Sequence, residues 1–558
     1  PPISISPDES VKKAAESMTR YNINVLLVID EAEALRGYVT RQIVEKAVFF
    51  GLEGIKVREY MNIEFSTVRP DTPLKEVQEL IIRKKVRILP VVERDKAVGV
   101  ITRTDLLNIL VGDPLIPEFL YDPKTTAYLL RKKNMAAMLK ERLPRKIIAR
   151  LKSLGQVADS LGYNAYLVGG LVRDILLRRD NLDVDIVIEG DGIKFAHEFG
   201  ARHEARVRSH RKFGTAVLVF PDDFKVDVAT ARMEYYESPG APPIVETSSL
   251  KMDLYRRDFT INTLAIKLNK RHYGALIDYF GAQNDVKEKV IRVLHNLSFV
   301  EDPSRVLRAI RFEQRFGFKI GKLTLSLMKN AVKINCFKDF SGKRLFLELK
   351  LILKEQDPIR SIERMAELDL LQFISPEIQL TEEIRSLLEE IRKVIAWYGL
   401  LYLEEAFEPW KVYWHGLTAG LESRTLRSLA EHMGMVDLES RRMLHQREAV
   451  NEVMDVLFRF NGDSYRLYTF LESYDTEILL FIMAKAGSEK IRRLISTYFT
   501  RLKGTRIELR GNDLLRMGFR PGPIYKKIFD RVLEAKLSNL VKTKADEVRY
   551  VKENFLDS

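Results

Sequence analysis

Leu167-Val168-Gly169-Gly170-Leu171-Val172-Arg173-Asp174 is followed, after a short gap, by Asn181-Leu182-Asp183-Val184-Asp185-Ile186-Val187-Ile188. These two stretches decide how the chain is read. Ala165–Val168 is a short apolar strand that ends in Gly169 and Gly170, and Leu171–Leu177 has the pattern of a helix. Glycines at a strand-to-helix turn let phosphate approach the backbone, where helix N–H groups point outward; tight packing is the other reason to find such a pair. Arg173 adds a cation one turn into the helix. The second stretch reads as a strand over 181–188. Residues i and i+2 of a strand share a face, so Asp183 and Asp185 would stand side by side. Two carboxylates so close are costly without a cation between them, and Mg2+ is the natural hard-cation partner of carboxylate and substrate phosphate.

A third acid lies in Phe224-Lys225-Val226-Asp227-Val228-Ala229-Thr230, again on an apolar-flanked strand. Asp227 either completes a carboxylate cluster for two metals or pairs with a cation such as Arg232. In two-metal chemistry one ion lowers the pKa of an attacking hydroxyl and the other steadies a pyrophosphate leaving group.

The rest of the chain sets limits. Lys and Arg number 91 and Asp and Glu 78, a net charge of +13. That excess fits either solubility or a polyanionic partner. A single cysteine, Cys336, excludes an internal disulfide framework and any multi-thiolate zinc site. The longest obvious apolar run, Ile478–Ala484, is far short of the roughly 20 residues that span a bilayer, so the expectation is a cytoplasmic protein with no membrane segment. The chain opens on Pro1, which reads as a trimmed start.

The first 112 residues repeat. Pro7-Asp8-Glu9-Ser10-Val11 returns as Pro70-Asp71-Thr72-Pro73-Leu74, and Gly37-Tyr38-Val39-Thr40-Arg41 returns as Gly99-Val100-Ile101-Thr102-Arg103. Each unit combines a capped helix, an apolar strand (Val25–Ile29; Ile88–Val92) and a second strand ending in Thr-Arg. This resembles a tandem pair of CBS domains. The resemblance implies an adenosine nucleotide in the cleft between repeats, held by a Thr and an Asp after the last strand. The second unit keeps them as Thr102 and Asp105; the first lacks the acid. Asp105 is equally a helix cap.

Further motifs follow these in order: Arg256-Arg257-Asp258-Phe259-Thr260-Ile261-Asn262, Asp278-Tyr279-Phe280-Gly281, and Glu301-Asp302-Pro303-Ser304-Arg305, with Arg308 and Arg311 beyond. Together with the glycine turn and the acid pair, they resemble the class II tRNA nucleotidyltransferases, which share the polymerase β superfamily fold and include bacterial poly(A) polymerases. The hinge motif departs from the family pattern, with Tyr279 and Ala282 where Pro and Gly are usual. The fold expected is α+β and multidomain: a tandem CBS pair (1–112), a linker (113–142), a polymerase-β-like palm (143–270), then an all-α neck (271–355), body (356–487) and basic tail (488–558).

The chemistry of these residues can be argued directly. Asp302-Pro303 reads as a helix start, which puts Arg305, Arg308 and Arg311 at three-residue steps near one face. A carboxylate accepts from an exocyclic amine and an Arg donates to a ring acceptor, so one Asp–Arg pair admits ATP and CTP and leaves UTP and GTP with mismatched partners. The structural alternative is capping and a solvated basic face. The resemblance assigns nucleotide binding to Gly169, Gly170, Arg173, Arg257, Asp258, Glu301, Asp302, Arg305, Arg308 and Arg311. It assigns catalysis to Asp183, Asp185 and Asp227, with Asp183 and Asp185 as metal ligands. For Asp258 it implies a hydrogen bond to the ribose 2′-OH; a salt bridge to Arg256 or Arg257 is the competing reading.

Residues 501–558 hold 14 Lys/Arg and 8 Asp/Glu. There Gly511–Leu515 and Gly518–Pro523 resemble the family's tail, which grips tRNA by shape and backbone. The expected activity is template-independent addition of AMP, or of a whole CCA end, to tRNA from ATP and CTP, with a slight lean to AMP. Poly(A) synthesis on RNA 3′ ends is the nearest alternative. A CBS-based nucleotide sensor with a degenerate transferase core is an alternative of another kind. Members with a CBS pair often carry a DHH-type phosphoesterase domain ahead of it, and the trimmed start fits the loss of such a domain.

Overall fold

Short apolar strands separated by turn residues build a seven-stranded mixed sheet at the centre of the sequence. The computed structural model describes residues 2–555, apart from 22, 84, 85, 87, 95, 103–133, 236–243, 339, 404 and 406. Its contacts divide into two units, Pro1–Phe340 and Ser341–Ser558.

In the first unit the palm strands are β1 (Asn164–Val168), β2 (Val184–Glu189), β3 (Arg206–His210), β4 (Thr215–Val219), β5 (Lys225–Thr230), β6 (Leu264–Lys267) and β7 (Leu276–Asp278). Their order across the sheet is β7-β6-β1-β2-β5-β4-β3. All neighbours are antiparallel except β2 and β5, which run parallel with Asp185 beside Asp227. Val184, Ile186 and Ile188 of β2 are at most 1% exposed. Burying each such side chain stabilises the sheet by about 1.5–3 kcal/mol, which fixes the register that sets the two acids side by side. Helices α1 (Arg145–Ser160), α2 (Gly170–Leu176) and α3 (Gly192–His203) accompany the sheet, and α3 is capped by Asp191, whose Oδ1 accepts from the N–H groups of Ile193 and Lys194. A further helix, α4 (Ser304–Phe316), ends at Gly317 in the left-handed conformation.

The repeat seen in the sequence recurs in three dimensions. Val25–Ile29 pairs antiparallel with Leu35–Thr40, and Ile88–Glu93 with Lys96–Thr102. In each unit a preceding segment lies parallel to the first of these strands: Ser4-Ile5 on Leu27-Val28, and Val68 on Val91. Thr102 closes its strand opposite Ile88. Asp105 and most of the expected linker lie outside the described residues; the linker's end is the helix Ala136–Arg142.

The hinge stretch is organised by Asp278. Its Oδ1 accepts from the backbone N–H groups of Phe280, Gly281 and Ala282 at 3.2, 2.8 and 3.0 Å. Beyond it the chain is mostly helical as expected, but Val290-Ile291 and Lys319-Ile320 form a small parallel pair that the periodicity did not signal. The second unit is helical throughout its described residues. Leu345–Lys350 lies within helix Gly342–Leu353, and Pro523 opens helix Pro523–Leu537 directly after Gly522.

Candidate active site

Three carboxylates meet above the β2–β5 pair. Asp183, Asp185 and Asp227 each bring an oxygen to within 4.8 Å of the others. The sequence reading started the strand at Asn181, but β2 begins at Val184 because its pairing with β5 begins there. Asp183 therefore sits in the loop ahead of the strand. Asn181 places it: the Asn181 Oδ1 accepts the Asp183 N–H at 2.8 Å, a local Asx turn, and its Nδ2 donates to Asp174 at 2.8 Å. An Asn two residues ahead of the Asp is the sequence signal for this turn, and the strand reading of 181–188 missed it.

Burial, then the neighbouring Asp183 charge, push Asp185 up to about 6. Arg257 counters this and Asp227 adds to it. Asp227 is also raised, by burial first and then by Asp183. Arg232, the alternative partner for Asp227, donates instead to the Phe213 carbonyl at 2.7 Å. A set of carboxylate oxygens that raise one another's proton affinity is a donor set suited to a hard divalent cation.

Gly169 caps β1 at φ 77°, a conformation open to glycine. A Cβ there would lie 3.1 Å from Arg257 Nη1 and 3.3 Å from Asp185 Oδ2. Its place beside the acids therefore demands the missing side chain. Gly170 is the first residue of α2 and meets only ordinary contacts. Arg173 is 5% exposed and bidentate on its neighbour Asp174, at 2.8 and 3.0 Å, and it donates to Asn262 at 2.6 Å. Its guanidinium also lies 4.3 Å from the centre of the Phe316 ring. It ties α2 to α4 and to the Asp258 segment.

Asp258 does not pair with Arg256 or Arg257, both of which go to Asp253. Its partner is Arg308, which donates through Nε and Nη2 to Oδ2 at 2.9 and 2.7 Å, while Phe259 N–H and Asn262 Nδ2 serve Oδ1. Burial opposes the Asp258 charge, but Arg308 and these hydrogen bonds outweigh it and hold the carboxyl down to about 2. Ahead of α4, Asp302 accepts from the Ser304 N–H at 3.1 Å and the Ser304 hydroxyl at 2.6 Å; Pro303 holds the cap position and the helix begins at Ser304, one residue after the expected start. Arg305 is buried and donates to Ser298 Oγ at 2.7 Å and to the Arg256 carbonyl at 2.8 Å.

These groups line one cavity of about 870 Å³. Its wall includes Gly169, Gly170, Arg173, Asp183, Asp185, Asp227, Arg257, Asp258, Asp302, Arg305 and Arg308. Two expected residues are not on it. Arg311 is buried elsewhere on α4, and Glu301 pairs with Lys46 and His295. Burial works against the Glu301 charge, yet His295 and Lys46 hold it down to about 2. Arg315 lines the cavity and was missed, although it continues the helical spacing of Arg308 and Arg311.

A poly A polymerase head domain model matches residues 165–292, CBS domain models match 1–49 and 57–112, and a model described as a probable RNA and SrmB-binding site of polymerase A matches 317–381. An A-adding tRNA nucleotidyltransferase of Halalkalibacterium halodurans is 30% identical over 75% of this chain and 95% of its own. The chain belongs to the tRNA nucleotidyltransferase family. A Geobacter sulfurreducens member, also named an A-adding tRNA nucleotidyltransferase, is 46% identical over 98% of this chain. The chain spans 63% of that relative and 59% of a similar one from Aquifex aeolicus. Among solved structures of the family, the Thermotoga maritima CCA-adding enzyme complexed with tRNA has 32% identity and a TM-score of 0.56 over 75% of this chain and 98% of its own. A CCA-adding enzyme with ATP matches equally well. No helix among the described residues is long and apolar enough to cross a membrane.

Proposed function

We propose that the chain carries out metal-dependent, template-independent addition of AMP to tRNA 3′ ends, releasing pyrophosphate from ATP. The observation that carries this reading is one cavity holding both the carboxylate cluster and the Asp258, Asp302, Arg305 and Arg308 set. The intact set argues against a degenerate core kept only for sensing. The A-adding names of the first relatives support AMP over whole CCA.

Asp183, Asp185 and Asp227 would hold Mg2+, which supplies activation of the 3′ hydroxyl and charge neutralisation at the phosphates. The chain's own residues do the rest. Gly169 lets backbone and phosphate approach each other. Asp258, fixed by Arg308, accepts from the ribose 2′-OH. Asp302 accepts from the adenine amine while Arg305 donates to the ring nitrogen beside it. A carbonyl in place of the amine faces Asp302 with a second acceptor, which costs on the order of 1–3 kcal/mol or more and rejects UTP and GTP. The basic tail supplies charge for the tRNA backbone.

The test is incorporation from ATP or CTP into tRNA lacking one, two or all three nucleotides of its CCA end, with Mg2+. AMP addition only to tRNA ending in CC supports the proposal. CMP addition to the shorter substrates would replace it with whole CCA synthesis, and homopolymer growth on unstructured RNA would replace it with poly(A) synthesis.

A further inference from the structure

The segment read as selecting the nucleotide is anchored outside the palm. Glu301, one residue ahead of Asp302, has a side chain only 7% exposed, and it faces the first CBS repeat. Lys46, in the last turn of the helix Arg41–Phe49, places its Nζ 2.5 Å from Glu301 Oε1. His295 Nε2 lies 3.1 Å from the other carboxylate oxygen. Burial pushes His295 below its ordinary range against the pull of the Glu301 carboxylate, and Lys46 is the cation that the CBS repeat brings to Glu301.

The helix that carries Glu301 is a single turn, Ser298–Glu301. Its first residue, Ser298, touches both selecting residues, and its last, Glu301, precedes Asp302 in the chain. Ser298 Oγ accepts from Arg305 Nη1 at 2.7 Å, and the Asp302 N–H donates to the Ser298 carbonyl at 3.2 Å. One turn has no ladder of its own to resist displacement, so its position depends on side-chain anchors. The contact with the CBS repeat is in register rather than loose. The buried Asn296 donates to the Tyr60 carbonyl at 2.6 Å, and Asn330 donates to the Glu59 carbonyl at 2.6 Å.

We propose that Lys46, contributed by the CBS module, is a positioning residue for nucleotide selection: it fixes Glu301, and thereby the one-turn helix that places Asp302 and Arg305. The inference rests on the function proposed above. Lys46 is not on the wall of the cavity and touches no nucleotide; it acts through Glu301. On this view the CBS pair is a working part of the transferase as well as an appended module.

Equilibrium binding of ATP, CTP and UTP to the full chain, without tRNA, tests this in wild type, Lys46→Met, Lys46→Arg, Glu301→Gln and the Lys46→Met/Glu301→Gln double variant. Lys46 is about a third exposed, so Met fits its site. Lys46→Met is expected to weaken ATP and CTP by about fivefold and leave weak UTP binding unchanged, with Lys46→Arg within about twofold of wild type. The double variant should bind ATP no worse than Glu301→Gln alone. A purely structural role would move the melting temperature without changing the ATP-to-UTP ratio. Folded Lys46→Met with wild-type affinities, equal losses in Lys46→Met and Lys46→Arg, or additive effects in the double variant would overturn the inference and leave the proposed function standing. Should Lys46→Met not fold, the Lys46→Arg comparison and the Glu301→Gln pair decide it alone. Wild type that binds neither ATP nor CTP would overturn the transferase reading and this inference together.

Discussion

Replacing Asp185 by Asn should make the metal-free protein more stable while it abolishes nucleotide incorporation. Asp185 faces two other carboxylates with oxygens inside 4.8 Å. At an effective dielectric of about 20, two unit charges at that distance repel by about 3.5 kcal/mol. Asp183 and Asp227 are exposed, so water reduces this to about 1–2 kcal/mol per pair. Removing the Asp185 charge relieves both pairs and forfeits the attraction of Arg257, which leaves a net gain of about 1–2 kcal/mol. A gain of that size raises the melting transition of the first unit by a few degrees. Thermal unfolding in excess chelator and again in saturating Mg2+ reads both halves of the argument. Without metal the Asp185→Asn variant should melt above wild type; with Mg2+ wild type should rise and the variant should not. A metal-free variant that melts below wild type, or equal Mg2+ shifts in both proteins, would refute the electrostatic account of the cluster.

Two other outcomes are expected. Arg308→Met strips Asp258 of two hydrogen bonds and an ion pair, a buried-pair loss of about 3–5 kcal/mol discounted to about 2–3 because Arg308 is partly exposed. The value of kcat/KM for ATP should then fall roughly 30- to 150-fold and discrimination against dATP should shrink, both read in steady-state incorporation. Asp258 and Glu301, each held down to about 2, contribute stability that is complete above the ordinary carboxylate range and is lost as pH falls through it toward 2. The urea midpoint should therefore drop steadily below about pH 4.5, and the drop should shrink in Asp258→Asn; a flat midpoint would contradict both assignments.

The parts of the site that were legible in the sequence are those governed by local geometry. The glycine turn, the Asp183/Asp185 spacing and the helix entry at Asp302-Pro303 follow from how a strand enters a helix, from a two-residue repeat and from helix-end chemistry. Even there, strand pairing moved the start of β2 to Val184, and an Asx turn did what the strand was expected to do for Asp183. Partnerships between elements were not legible. The Asp258 partner is Arg308 on α4, Arg173 reaches Asn262 in the Asp258 segment, and Glu301 faces Lys46 in a different module. Each such choice is made by tertiary packing, and no periodicity encodes it. Arg315 is the exception, since the helical spacing reached it.

The parallel seam between β2 and β5 has a consequence for how the carboxylate cluster comes into being. Asp185 and Asp227 are about forty residues apart in the chain and become neighbours only through that pairing. Loop closure of that length must precede the reward of the contact, so the seam is expected to form after the β4–β5 hairpin. The carboxylates that repel one another therefore gather only after the apolar sheet has formed to hold them. A chain caught partway through folding carries all three carboxylates without bringing them together. Divalent metal would act as a selective ligand of the finished palm, and metal affinity would serve as a sensitive probe of whether a preparation has folded to completion.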